Sequence, residues 1–208
     1  MVVRSLVSGA VLAGLLSLPA LAGTAAFVPG TLNGDPNYQA GTPVNLGMVF
    51  SPTSNLDVTA LGIYAGANLT GPEQVGLYDS GGNLLTSTTV NISGPITNGY
   101  YYTNITPIML TAGDTYTVAS QVNNNPWEYG TVTTPAFITF LHNSYLYSSV
   151  LQYPTNTNGS GPAYFGPNVQ VTGVPEAADW TLMLVGIGLL GACVRTARRY
   201  NEAAAPVV

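Results

Sequence analysis

Lysine is absent from this sequence, and arginine occurs only as Arg4, Arg195, Arg198 and Arg199. Charged residues make up 6% of the 208-residue chain, against roughly 25% in an ordinary soluble domain. Residues 23–174 carry six acids, Asp35, Asp57, Glu73, Asp79, Asp114 and Glu128, and no base to balance them. A surface of that sign repels phosphate backbones, which excludes nucleic acid as a partner. Solubility must come from Asn, Thr, Ser, Gly and Tyr, a composition that suits proteins outside the cell. Cysteine is nearly missing as well. Cys193 alone cannot form an intramolecular disulfide, so a packed core must hold the body together. About 150 residues can build one. The hydrophobic share of 46% separates the chain from charge-rich disordered sequences.

The apparatus of common catalysis is also lacking. There is no G-x-S-x-G, C-x-x-C, H-E-x-x-H or P-loop pattern. The single histidine, His142, closes the run AFITFLH, and no motif supplies the nucleophile and orienting acid that a catalytic histidine requires. Glycoside hydrolysis needs two carboxylates roughly 5–9.5 Å apart. Asp79 and Asp114, however, stand in turn sequences that favour Asp on their own account. Calcium could use turn aspartates and carbonyls, but no D-x-D-x-D run is present. We therefore expect no enzymatic activity, no metal site and no cofactor. Sequons at Asn68, Asn91, Asn104 and Asn158 are assigned no role in a chain this rich in Asn and Thr.

What is present begins with two apolar ends. Arg4 supplies a positive start, Leu6–Leu18 a short apolar stretch, and Ala20 and Ala22 the small residues of a cleavage site. This is the layout of a secretory signal peptide, residues 1–22, cut after Ala22. A cut after Ala26 is expected to change little. An uncleaved anchor is disfavoured, because the run is short and ends in Pro19 and the A-x-A pattern. Near the other end, Trp180–Val194 is apolar all round, so a buried amphipathic helix is disfavoured. As a helix it covers roughly 22 Å, short of the roughly 30 Å hydrocarbon core unless Ala177, Ala178 and Asp179 reach the headgroups. Trp180 suits that interface, and Arg195, Arg198 and Arg199 mark a cytoplasmic side. Both ends agree on one topology: residues 23–173 outside, a transmembrane helix at 180–194, and a cytoplasmic tail at 200–208.

Val174-Pro175-Glu176, then Trp180, an apolar helix and the arginine cluster resemble the PEP-CTERM sorting signal over residues 174–199. The resemblance implies an exported protein of a Gram-negative bacterium that makes extracellular polysaccharide. It also implies an exosortase-like processing protein and the inner membrane as partners. Ala177 stands where the family has a second proline, and Tyr200–Val208 extend past the usual stop. The expected location is the inner membrane after export, then the cell surface or extracellular matrix.

The body, residues 23–173, shows no convincing amphipathic helix. It consists of short β-branched and aromatic runs broken by Gly, Pro, Asn and Asp. Strands are predicted over 44–51, 56–64, 73–79, 83–91, 99–105, 115–122, 136–141 and 168–172. In DTYTVASQV, Tyr116, Val118 and Ser120 share one face, and Thr117, Ala119 and Gln121 the other. Asp79-Ser80-Gly81-Gly82-Asn83 and Thr111-Ala112-Gly113-Asp114 read as turns. The expected fold is all-β, an antiparallel β-sandwich of jelly-roll type, flanked by the signal helix and the transmembrane helix. LGMVFSPTSNLDVTALGIYAG, VGLYDSGGNLLTSTTV, ITPIMLTAGDTYTVAS and YFGPNVQV resemble an uncharacterised β-sandwich module common in PEP-CTERM proteins, over roughly 44–171. That resemblance implies the fold and no catalytic residues.

The aromatic residues suggest a binding role. Tyr100, Tyr101 and Tyr102 run together, and Trp127, Tyr129, Tyr145, Tyr147 and Tyr153 gather in the later third. Exposed Tyr and Trp rings stack on sugar faces. These five are candidates for contact with extracellular polysaccharide, or else they fill a core poor in Phe and large aliphatics. The reading of the whole is an exported, non-enzymatic structural or adhesive component of the envelope or extracellular matrix. Its alternative is a carbohydrate-binding module. A hydrolase relying on His142 or an acid pair is the least favoured.

Overall fold

The computed structural model describes residues 23–33, 42–67, 69–123, 125–159 and 161–173, with Ile187, Gly188, Gly191 and Arg195 beyond them. Those last four carry exposed helical backbone. Among the described residues no helix is long and apolar enough to cross a membrane. The signal segment, and most of the sorting segment, lie outside the described residues.

Everything else is strand and turn, because the runs alternate β-branched or aromatic side chains with small polar ones. One sheet has the order β1 (Thr24–Ala25), β13 (Pro167–Gly173), β4 (Leu56–Tyr64), β7 (Tyr100–Leu110). A second has β11 (Asn156–Thr157), β10 (Ile138–Tyr147), β3 (Val44–Pro52), β8 (Tyr116–Val122), β5 (Glu73–Asp79), β6 (Leu84–Val90). A small third sheet joins β12 (Ala163–Tyr164), β9 (Tyr129–Thr133) and β2 (Val28–Leu32). Every pairing is antiparallel. The two larger sheets form an antiparallel β-sandwich around one main core. Met48, Phe50, Val75, Leu77 and Val118 come from one side, and Leu56, Val58, Leu61, Ile63, Val169 and Val171 from the other. Phe27 enters from the N-terminal segment and meets Phe50 edge-on at 5.6 Å. Burying such a side chain contributes about 1.5–3 kcal/mol.

Most predicted strands match within a residue or two. Three differences have physical causes. The strand predicted at 99–105 runs on to Leu110, because the ladder with β4 continues past a bulge opposite Thr59. The strand predicted to end at Leu141 continues to Tyr147, so His142 lies mid-strand rather than at a strand end. The short strands of the third sheet carry no alternation long enough to announce themselves. The N-terminal expectation also needs correcting. Ala25 and Ala26 are buried, and β1 pairs with β13. A cut after Ala26 would remove that strand, whereas a cut after Ala22 leaves it whole.

β8 departs from simple alternation as well. Thr117 and Ala119 are as buried as Val118, so the outer face of the large sheet is covered too. The cover is the segment between β10 and β11. Asn45 holds it from below: its amide nitrogen donates to the Val150 carbonyl at 3.0 Å, and its oxygen accepts from the Gln152 N–H at 3.1 Å. The register explains how the segment fits. Ser144, Gly47, Ala119, Gly76 and Ser87 are successive cross-strand partners on β10, β3, β8, β5 and β6. This row of small residues makes a shallow trough across the strands. Pro154 sits over Gly47 and Leu151 over Gly76. Turns at the far end behave as predicted. Asp79 accepts from the N–H groups of Gly81 and Asn83, both at 2.9 Å, and Gly82 takes a φ of 78°, which glycine adopts without steric cost.

Gly47→Val tests the trough. A Cβ at Gly47 would lie 2.6 Å from the Pro154 ring and also meet Ser144 Oγ. The substitution should cost about 1–3 kcal/mol through overpacking and expose residues 148–155 to proteolysis. An unchanged urea midpoint and an unchanged digestion pattern would refute the packing described.

Candidate functional site

The antiparallel registers bring Val44 of β3, Val122 of β8, Tyr147 of β10 and Glu73 of β5 to one end of the large sheet. Residues 44, 46, 48 and 50 of β3 point inward by strand alternation. Met48 and Phe50 belong to the main core, while Val44 and Leu46 start a second, smaller cluster nearer that end. On β10 a bulge between Phe140 and His142 shifts the parity. After it, Asn143, Tyr145 and Tyr147 pair with Met48, Leu46 and Val44 and share their inward face. His142 pairs with Val49 and shares the outward one.

The inner face therefore opens at this end into a cleft of about 310 Å³. Val44, Leu46, Tyr145 and Tyr147 form one wall, and Trp127, Tyr164 and Asn158 complete it from the connections beyond the sheet. Tyr145 and Tyr147 stand nearly perpendicular with ring centroids 5.8 Å apart. Trp127 and Tyr164 do the same at 5.1 Å. Asn158 donates from its amide to the Tyr164 hydroxyl. The arrangement combines aromatic ring surface with tyrosine hydroxyls and the Asn158 amide.

Three of the five predicted aromatic residues, Trp127, Tyr145 and Tyr147, line this cleft. Tyr129 supports it from behind, its ring 6.3 Å from that of Trp127. Tyr153 lies elsewhere. It belongs to the covering segment and packs on Tyr78 at 5.6 Å. Sequence reasoning missed Val44, Leu46, Asn158 and Tyr164. Only the β10–β3 register and the short β12–β9 pairing bring them in, and neither leaves a local signal. The other candidates do not converge on a reaction centre. Asp79 and Asp114 occupy turns at the opposite end, and His142 Nδ1 is within hydrogen-bonding distance of the neighbouring Asn143 carbonyl, at 3.1 Å. No group of three or more metal-ligating side chains occurs among the described residues. Val174, Pro175, Glu176, Trp180, Arg198, Arg199, Ala20 and Ala22 lie outside the described residues.

Behind the Trp127 wall are two buried carboxylates. Glu73 is 5% exposed. Asn125 donates to its Oε1 at 3.0 Å and to the Gly71 carbonyl at 3.1 Å, and accepts from Thr70 N–H and Oγ1. The Asn125 side chain thus ties the Trp127 connection to the loop before β5. With no base to pair it, burial pushes the Glu73 carboxyl up to about 7, against the opposing pull of the Asn125 amide. Glu128 is the second, with Oε2 buried and no protein partner. It lies beside Tyr64, whose hydroxyl is raised by burial and then by the Glu128 charge.

A family model described as a domain of unknown function (DUF4082) matches residues 31–165, well over half of the chain, and the chain belongs to that family. The matched span contains every cleft residue and both buried carboxylates, and stops short of β13. No curated protein matches the chain.

The raised Glu73 value sets a pH dependence. The folded state holds this proton more tightly than the unfolded chain, whose carboxyl titrates near 4.3. The charged form is penalised, so stability falls as pH rises from about 4.5 through 7, by on the order of 3 kcal/mol. Glu73→Gln keeps the size and the acceptor without the charge. It should flatten the urea midpoint across this window and exceed the parent above pH 8. Parallel pH curves for the two proteins would overturn the assignment.

Proposed function

We propose that this member of the DUF4082 family is an exported, non-enzymatic module that holds carbohydrate in the aromatic cleft, and that it serves as an adhesive component of the cell envelope or extracellular matrix. One observation carries the reading. Trp127, Tyr145, Tyr147 and Tyr164, from three segments between residues 127 and 164, converge on one open cleft that combines aromatic rings with hydroxyl and amide groups. Such rings present C–H-binding faces, and hydroxyls and amides can satisfy sugar oxygens. The finer fold reading is a jelly roll. The order β1-β13-β4-β7 facing β3-β8-β5-β6, with β10 added beside β3, supports it, since the chain crosses between the two sheets from β3 to β4, β4 to β5, β6 to β7 and β7 to β8, as Greek-key connections do.

Export rests on the signal layout and the PEP-CTERM resemblance. In this reading a helix over 180–194 holds the chain at the inner membrane until an exosortase-like protein processes residues 174–199. The pairing of β1 with β13 favours a mature chain that begins at Gly23.

Two experiments test the proposal. Fractionation with intact-mass measurement should find an exported chain starting at Gly23, and a full-length cytosolic chain would overturn export. Binding to extracellular polysaccharide should drop at least about tenfold for Trp127→Ala or Tyr147→Ala, the range expected when a stacking ring is removed. Tyr153→Ala should bind as the parent does. Equal loss in all three variants would show that the cleft is not the site.

A further inference from the structure

Resting on the carbohydrate reading above, we infer that the cleft selects uncharged glycans and discriminates against both acidic and amine-bearing ones. The lining carries no carboxylate and no base: it consists of two aliphatic residues, one asparagine and four aromatic rings. An ionised substituent entering it would give up water and find no opposite charge, which is strongly unfavourable. For an anion the surroundings are no kinder. Residues 23–173 contain no Lys or Arg, so uronate, sulfate and phosphate groups find no counter-charge anywhere on the described body.

For a cation, the two carboxylates near Trp127 lie outside the cleft lining. Glu73 is held by Asn125, and Glu128 Oε1 faces Gly66 while its other oxygen is buried. Neither lines the cleft. The ring geometry also differs from an ammonium cage. In both close pairs, at 77° and 74°, the edge of one ring covers the face of the other. Ring edges are positive, so the two pairs do not present the several converging faces that an ammonium cage uses. An uncharged sugar ring needs only one free face. It can lie against an exposed face and exchange hydrogen bonds with the Asn158 amide and the tyrosine hydroxyls. At about 310 Å³ the cleft stands at the small end of ligand sites, so it takes a short stretch of a chain, and its open mouth lets the rest pass.

The test is affinity measurement with the full chain on a panel of neutral glucans, galactans and mannans, a polyuronate and a partly deacetylated chitosan, at low and high salt. At least one neutral glycan should bind, with affinity changing less than about twofold with salt, since no charge pair is there to screen. The polyuronate and the chitosan should bind at least about tenfold more weakly. Tyr147→Arg places a base at the exposed rim and should raise polyuronate binding several-fold in a salt-dependent way. Polyuronate or chitosan binding as tight as the best neutral glycan, lost on Tyr147→Ala, would overturn the charge selection and leave the carbohydrate site standing. No binding to any panel member by a protein with intact strand circular dichroism would remove the carbohydrate reading itself.

Discussion

The asparagine side chain does in this body what ion pairs do in others. With no Lys or Arg between residues 23 and 173, a buried polar contact cannot be completed by an ion pair with either. An amide offers a donor and an acceptor together, like a peptide bond. Four buried asparagines use both. Asn45 holds the segment over the outer face. Asn168 holds Phe27, donating to its carbonyl at 2.7 Å and accepting from its N–H at 3.2 Å. Asn143 holds the approach to β12 through the Pro162 carbonyl and the Tyr164 N–H. Asn125 holds the Trp127 connection against the loop before β5. In each case a segment outside the long ladders is docked by an imitation of strand pairing. Removing one partner from such a buried contact costs about 1–3 kcal/mol, so these four positions are where the irregular parts of the fold are most exposed to substitution.

The cleft depends on three of these anchors. Tyr164 is placed by Asn143, Trp127 follows Asn125 by two residues, and Asn45 stands between Val44 and Leu46 on β3. The same strand residues that build the cleft wall on the inner face alternate with those that carry the covering segment on the outer face. A change on either face of β3 is therefore felt on the other. The β10 bulge adds the last element. One extra residue shifts the side-chain parity, and Tyr145 and Tyr147 turn to the cleft side of the sheet instead of the outer side with His142.

The absent cation shapes the site's chemistry as well as its scaffold. Glu73 would find an arginine in many buried positions of this kind. Here it finds only neutral groups, the Asn125 amide and the Ser120 hydroxyl, and burial raises its proton affinity against their pull. The cleft in front of it is uncharged. The lack of bases therefore appears twice, as a carboxyl that titrates near neutrality and as a cleft lined by uncharged side chains.

The all-β character, most long strands and the two glycine turns were legible in the sequence, because alternation and turn chemistry are local. The candidate aromatic residues were legible as types, but their grouping was not. Trp127, Tyr145 and Tyr147 meet and Tyr153 does not, a distinction that depends on strand register, on a bulge worth one residue, and on where an irregular segment lies. Val44, Leu46, Asn158 and Tyr164 carry no motif at all. Composition by itself determined that the body has no cationic partner to offer and must satisfy its interior with neutral groups. Tertiary structure decided which face each ring takes and which rings share a cleft, because side-chain direction in a sheet follows register, and register is set by pairing between residues far apart in the chain.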